Sequence, residues 1–132
     1  MLRQQMQVGV LVVDDKAPFR QAARDVIDAT AGFEPLGEAA SGAEALGLAD
    51  ELGPALVLMD VRMPEMDGLE TARRLSASHP ETVIVLVSID DPSPLGPQEI
   101  ESCGATTLVR KQDFGPVALR RLWAAHGRGN GR

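Results

Sequence analysis

The chain is poor in cysteine and in aromatic residues, and it lacks any long apolar run. Its single cysteine, Cys103, excludes an intrachain disulfide and is typical of a reducing compartment. Aromatic residues make up only 3% of the chain, so a core must be built from Val, Leu, Ile and Ala. No apolar run approaches the roughly 20 residues that cross a membrane, and the short run 8–13 is not a signal peptide. These absences predict one cytoplasmic domain with no membrane contact.

Basic charge is also scarce. The net charge of -6 argues against direct contact of this domain with nucleic acid. The end of the chain differs, because Asp113 is the only acid between residues 110 and 132. The basic residues there are Arg110, Lys111, Arg120, Arg121, Arg128 and Arg132. They form either a solvated helix face or a docking surface.

Short apolar runs alternate with segments of helical periodicity. Buried strands are predicted at residues 8–13, 55–59 and 83–87, with a weaker one at 106–109, because these runs are apolar on both faces. Residues 33–39 contain Pro35 and Gly37, which places that strand at an edge of the sheet. The pattern predicts an α/β sandwich of three layers over residues 8–126, followed by a disordered tail or linker stub at 127–132.

Local signals predict where the helices begin. The first helix starts near Ala17-Pro18 and has an apolar stripe that begins at Phe19. Ser41 and Asp67 are predicted to cap the next two helices, and Pro116 opens the last one. The prolines between residues 91 and 98 predict a loop there, followed by a short helix at about 98–102.

Polar residues follow four of the predicted strands, where parallel strands end at the same edge of a sheet. They are Asp14, Asp15, Asp60, Ser88 and Lys111. Two carboxylates about 5 Å apart repel by roughly 3 kcal/mol at an effective dielectric of about 20, which a divalent cation would relieve. Oxygen ligands suit Mg²⁺, and no His or Cys near these positions supports Zn²⁺.

This set of residues suits the transfer of a phosphoryl group to a carboxylate. Lys111 and Ser88 would contact phosphoryl oxygens, and Mg²⁺ would offset the charge that develops in the transition state. Each residue also has an ordinary structural alternative. Asp14 and Asp15 could cap the first helix, Asp60 could be a turn residue, and Lys111 could be a surface lysine. The joint occurrence of all of them at strand ends favours the chemical interpretation.

With these residues in place, the chain resembles the receiver domain of bacterial two-component response regulators. The matching segments are residues 12–15, 58–68, 88, 104–105 and 111. The resemblance implies a flavodoxin-like fold whose five-stranded parallel sheet has the order 2-1-3-4-5. It implies that Asp60 accepts phosphate from the phosphohistidine of a sensor histidine kinase. It also implies that Asp14, Asp15, Asp60 and the backbone carbonyl of Arg62 bind Mg²⁺.

The resemblance implies an output as well. Phosphorylation would draw Ser88 inward, and the surface of the fourth helix, last strand and last helix would then bind a partner or a second copy in a homodimer. A C-terminal output domain, for example a DNA-binding domain for transcription regulation, is also implied. In the family, an aromatic residue three positions before the lysine rotates into the space that the serine leaves, and a proline usually follows the lysine. This chain has Leu108 at the first position and Gln112 at the second. These departures predict intact phosphorylation but altered output.

Two other functions remain open. A phosphatase of the haloacid dehalogenase type would need a second Asp two residues after its nucleophile, where this chain has Lys16 or Arg62. An interaction module that does not depend on phosphorylation is kept open by Leu108 and by the proline-rich segment. On the preferred interpretation the chain is not a turnover enzyme, although it assists its own phosphoryl transfer and hydrolysis.

Overall fold

A computed structural model describes residues 7–63, 67–89 and 96–127. Its sheet consists of five parallel strands, which are β1 Val8–Val13, β2 Phe33–Ala39, β3 Leu56–Asp60, β4 Val83–Ser88 and β5 Thr107–Arg110. The strand order is β2-β1-β3-β4-β5, which confirms the predicted flavodoxin-like topology. Each observed strand lies within one residue of its predicted bounds.

The helices alternate with the strands. They are α1 Ala17–Ala29, α2 Gly42–Leu52, α3 Gly68–Ser78, α4 Pro97–Ser102 and α5 Pro116–His126, with a 3-10 turn at Lys111–Asp113. α4 begins at Pro97, so the predicted loop was too long at its end, since proline suits the first turn of a helix. Residues 90–95 of that loop lie outside the described residues, as does the predicted tail apart from Gly127. Within the described ranges, no helix is long and apolar enough to cross a membrane.

The sheet is buried on both faces. Along β1, Leu11 and Val13 join one hydrophobic cluster, and Val10 and Val12 join the other. The first cluster includes buried residues of α2 and α3, and the second includes buried residues of α1 and α5. This alternation follows from the period of two along a strand, and it confirms the prediction of three layers.

The edge strand β2 contains a bulge beside its proline. Val10 lies opposite Pro35, but the next residue of β1, Leu11, lies opposite Gly37. Leu36 is therefore the extra residue of the strand. A proline has no N–H to donate, so it is tolerated at an edge with such an irregularity, as the sequence predicted.

Side-chain caps fix the starts of α2 and α3. The Ser41 side chain accepts a hydrogen bond from Glu44 N at 3.2 Å, and Glu44 Oε1 accepts one from Ala40 N at 2.8 Å. The Asp67 side chain accepts a hydrogen bond from Glu70 N at 2.9 Å. These contacts confirm both predicted caps, and each satisfies backbone donors that a helix start leaves unpaired.

The first residue of α3 packs directly on the end of β3. Gly68 N donates a hydrogen bond to Val61 O at 2.9 Å. A Cβ atom on Gly68 would collide with the backbone oxygen of Asp60 and would lie 2.9 Å from Val61 Cα. The glycine is needed because backbone atoms, which cannot rotate away, fill the space beside it.

We predict that Gly68→Ala lowers the free energy of unfolding by about 2–4 kcal/mol, because α3 must move off the end of β3. Urea denaturation measures the change. Gly47→Ala is the matched control, since Gly47 lies within α2 and has no atoms within 4 Å of a built Cβ. That control should raise the free energy of unfolding by about 0.5–1 kcal/mol. Similar effects of the two substitutions would contradict the packing argument.

Candidate functional site

Three acids from two strands meet at the carboxyl edge of the sheet. Asp14 and Asp15 follow β1, and Asp60 is the last residue of β3. Each offers one carboxylate oxygen, and these oxygens lie within 4.8 Å of one another. The register explains the meeting, because β1 and β3 are adjacent and Val13 lies opposite Met59. The structure therefore brings together the three acids that the sequence predicted to converge.

Asp14 is fully buried and is fixed by its surroundings. Its Oδ1 atom accepts a hydrogen bond from Lys16 N at 2.8 Å. Its backbone carbonyl accepts one from the Arg20 guanidinium at 2.8 Å, and Arg20 Nε in turn donates to Glu38 Oε1 at 3.2 Å. These contacts tie the β1–α1 connection to β2 and leave the Asp14 Oδ2 atom for another partner.

Lys111 supplies that partner from the end of β5. Its Nζ atom lies 2.6 Å from Asp14 Oδ2 and 3.8 Å from Asp60 Oδ1. Only 12% of its side chain is exposed. The described residues contain no cis peptide bond, so the bond between Lys111 and Gln112 is trans. The lysine thus contacts the acid cluster from the predicted side.

Asp60 is nearly buried and carries an unusual pKa. Its exposed fraction is 6%. Burial, followed by the charge of Asp14, raises the pKa of this carboxyl to about 6. The charge of Lys111 and a backbone hydrogen bond from Arg62 act in the opposite direction but do not cancel the increase. The lysine alone therefore does not balance the negative charge of the cluster.

Two carboxylate oxygens confirm this imbalance. Within the part of the chain that the structure describes, Asp14 Oδ2 and Asp15 Oδ1 are both buried, and Asp15 Oδ1 accepts no hydrogen bond. Asp14 Oδ2 has only its ion pair with Lys111, and Asp15 Oδ1 lies 3.7 Å from the exposed ammonium of Lys16. Buried oxygens without hydrogen bonds are costly unless a cation binds them. An all-oxygen donor set of this kind fits Mg²⁺.

A cleft of about 630 Å³ opens beside Asp60. The other residues that line it include Lys16, Pro18, Phe19, Arg62, Ser88, Ile89, Lys111 and Gln112. Ser88 is the half-buried last residue of β4, and its neighbour Val87 lies opposite Asp60. The structure thus places Ser88 and Arg62 at the same cleft as Asp60, where the sequence predicted them.

Sequence analysis missed two contacts of this site. Phe19 was predicted only as part of the apolar stripe of α1, and Arg20 was not singled out. Arg20 comes six residues after Asp14, one turn into α1, and a basic residue at that spacing was the available signal. Cys103 is buried. Leu108 is half-buried and packs against the first hydrophobic cluster.

The fold and the cleft define a class of α/β proteins with an acidic cluster at the carboxyl edge of a parallel sheet. Within that class, the chain belongs to the response regulator receiver domain family, whose sequence model matches residues 10–122. The family assignment agrees with the resemblance found in the sequence motifs.

Individual relatives agree with this assignment. The response regulator GacA of Pseudomonas viridiflava is 38% identical over 104 residues, which cover 79% of this chain and 48% of GacA. A protein-glutamate methylesterase/protein-glutamine glutaminase of Carboxydothermus hydrogenoformans is 35% identical over 114 residues, covering 86% of this chain and 32% of that protein. The signal receiver domain of the putative response regulator NarL from Mycobacterium tuberculosis has a TM-score of 0.78 and 30% identity, covering 92% of this chain and 98% of that domain.

The chain spans less than half the length of these two curated relatives. They share the receiver domain, but one is named as a response regulator and the other as an enzyme. The shared region therefore corresponds to the receiver function and not to either whole protein.

We predict that ionised Asp60 destabilises the metal-free protein. Its folded-state pKa of about 6 exceeds the ordinary value of 3.8, so the folded state binds more protons than the unfolded state between these values. The free energy of unfolding should therefore fall as pH rises from about 4 to about 6. Asp60→Asn should remove the destabilising effect of the ionised carboxylate and raise the free energy of unfolding at pH 7 by about 1–2 kcal/mol, after allowance for solvent screening.

Urea denaturation of both proteins in metal-free buffer across this pH range measures the difference. Asp25→Asn, at an exposed position of α1, is the control and should follow the wild-type curve. If the free energies of unfolding of wild type and Asp60→Asn changed in parallel with pH, burial would not raise the pKa of this carboxyl.

Proposed function

We propose that Asp60 is the phosphoacceptor of this receiver domain and that it takes its phosphoryl group from the phosphohistidine of a sensor histidine kinase. The observation that supports the proposal is the meeting of three acids, of which Asp14 and Asp60 are buried, with the Lys111 ammonium at the cleft. A structural ion pair would need one acid for one lysine. The additional carboxylates, with a buried Asp15 oxygen that accepts no hydrogen bond, are explained by a cation and a phosphoryl group that bind together.

In the proposed reaction, an ionised oxygen of Asp60 attacks phosphorus. The bond between phosphorus and the histidine nitrogen breaks, and the nitrogen keeps its electron pair. Lys111, 3.8 Å from Asp60 Oδ1, pairs with one phosphoryl oxygen, and the Ser88 hydroxyl donates a hydrogen bond to another. Asp14, Asp15, Asp60 and the backbone carbonyl of Arg62 would hold Mg²⁺, which would supply positive charge near the phosphoryl oxygens.

The raised pKa of Asp60 is compatible with this role. With a pKa of about 6, roughly nine-tenths of the carboxyl is ionised at pH 7 and able to attack. A positive ion in the site favours the charged form further. The same burial that raises the pKa also strips water from the carboxylate, which strengthens its electrostatic contacts in the transition state.

The proposed consequence of phosphorylation is a changed partner surface. The surface is the one formed by α4, β5 and α5, and it would bind a downstream partner, an attached output domain or a second copy of the chain. The named relatives, a response regulator and a methylesterase, support an output domain in the full protein. Leu108 on β5 has no ring to rotate, so the change at this surface would not involve the rotation of an aromatic side chain at this position.

We predict that a small acyl phosphate with Mg²⁺ phosphorylates the wild-type chain and retards it in Phos-tag electrophoresis. Asp60→Asn should show no retarded band, because its amide cannot form an acyl phosphate. Asp25→Asn is again the matched control and should be retarded like wild type. A retarded band in Asp60→Asn would assign the acceptor to another residue.

The same experiment addresses the second candidate function, an interaction module that does not depend on phosphorylation. Leu108 favours this alternative, since the usual aromatic of the switch is absent. Wild-type protein that folds and binds Mg²⁺ but never becomes retarded would favour the module over the phosphoacceptor.

We predict that Mg²⁺ raises the thermal unfolding midpoint, because it binds the folded acid cluster. At about ten times its dissociation constant, the ion should add about 1.4 kcal/mol, or roughly 4–7 °C for a domain of this size. Asp15→Asn should lose most of this increase, whereas Asp25→Asn should keep it. Equal Mg²⁺ effects in all three proteins would place the ion elsewhere.

We further propose that the chain is not a turnover enzyme. The acyl phosphate of Asp60 would be hydrolysed with the help of the same site, but free phosphomonoesters would not be substrates. Sustained release of nitrophenol from p-nitrophenyl phosphate by purified wild type, lost in Asp60→Asn, would instead support a phosphatase.

A further inference from the structure

The Lys111 ammonium contacts an aromatic ring that sequence analysis assigned to the core. Its Nζ atom lies over the face of Phe19, 4.8 Å from the ring centroid. Phe19 belongs to the first turn of α1, and its half-buried ring lines the same cleft as Asp60 and Ser88. A cation at this distance from the face of a ring is attracted by its quadrupole, and the attraction is larger where water is excluded.

The ring matters because the shorter of the two carboxylate contacts of Lys111 is with Asp14, which is not the proposed phosphoacceptor. Lys111 is 2.6 Å from Asp14 Oδ2 but 3.8 Å from Asp60 Oδ1. Its side chain has four flexible carbon–carbon links, so carboxylates alone do not fix one position of the ammonium. If the carboxylate of Asp14 binds a divalent ion, that ion competes with Lys111 for its negative charge. A metal ion would not bind the ring of Phe19, so the contact between this ring and the ammonium would remain.

We propose that Phe19 is a positioning residue that holds the Lys111 ammonium beside Asp60 for contact with the phosphoryl group. This inference rests on the proposed function, since it assigns Phe19 to the phosphoryl reaction of that site. The ring acts through Lys111 and does not itself touch the reacting atoms. A second ring, that of Phe114, lies 6.5 Å from Phe19 at an interplanar angle of 56° and supports it. Phe114 lies in the short connection between the 3-10 turn and α5.

The ordinary alternative is that Phe19 only packs the core. Its side chain does border the second hydrophobic cluster, so its loss would weaken packing in either case. Phe33 provides the matched control, because it is a buried member of the same cluster at the start of β2. Phe33→Leu removes an equal ring from the core and leaves the contact between Phe19 and Lys111 in place.

The chain offers a direct spectroscopic test, because Lys16 and Lys111 are its only lysines. The ring current of Phe19 should move the ε-methylene proton signals of Lys111 upfield of those of Lys16, which is 67% exposed. Phe19→Leu should bring the two lysine signals together, and Phe19→Tyr should keep them apart. Phe33→Leu should also keep them apart. Signals that stay apart in Phe19→Leu would overturn the proposal.

The kinetic test uses a small acyl phosphate and Mg²⁺. Phe19→Leu should slow phosphorylation of Asp60 about fivefold while Mg²⁺ affinity stays within about twofold, and Phe19→Tyr should recover most of the rate. Phe33→Leu should react as wild type does. An unchanged rate in Phe19→Leu, or an equal loss in Phe33→Leu, would overturn the positioning role.

Two further results separate the possible failures. If Phe19→Leu does not fold, Phe19→Met replaces it and should show the same slower rate and merged lysine signals. If wild type itself takes no phosphoryl group, the proposed function fails and this inference fails with it. If wild type is phosphorylated and Phe19→Leu keeps the wild-type rate and lysine signals, the positioning role of Phe19 is contradicted and the proposed function is not.

Discussion

The imbalance of charge at the carboxyl edge of the sheet is the constraint on which the site depends. Three carboxylates share a buried corner with one ammonium, and that ammonium lies closer to Asp14 than to Asp60. Burial and then the charge of Asp14 raise the pKa of Asp60, and the buried Asp15 oxygen that accepts no hydrogen bond adds to the unbalanced negative charge. A fold selected only for stability would avoid such a cluster, because a carboxylate buried beside like charges opposes folding. The cost is understandable if the cluster exists to bind a cation and a phosphoryl group.

The surrounding backbone keeps this unfavourable cluster together. Adjacent parallel strands deliver Asp14 and Asp60 in register, and Arg20 fixes the chain after β1 through the Asp14 carbonyl. On the other side, Gly68 lets α3 approach the end of β3 more closely than any side chain would allow. The apolar strands provide the rigidity, since their residues are buried on both faces by helices. The acids therefore cannot separate to relieve their repulsion, which leaves protonation of Asp60 or binding of a cation as the ways to lower it.

Sequence periodicity predicted most of the fold because buried parallel strands and amphipathic helices leave distinct patterns. The bulge at Leu36 and the start of α4 at Pro97 were less predictable, since both depend on how proline is accommodated locally. The acids of the site were predictable because strand ends meet at one edge of a parallel sheet. The contact of Phe19 with Lys111 was not, because an apolar residue on a helix stripe looks the same whether it meets the core or a cation. Its identification required the distance between ring and ammonium.

A crystal structure with Mn²⁺ in place of Mg²⁺ tests the central claim most directly, because anomalous scattering locates this ion without assumptions about its ligands, and both ions favour carboxylate oxygens. The account predicts one ion bound to carboxylate oxygens of Asp14, Asp15 and Asp60, with the Lys111 ammonium still within reach of Asp60. An ion bound at another part of the surface, or an acid cluster that stays empty of metal with Asp14 still paired to Lys111, would contradict it.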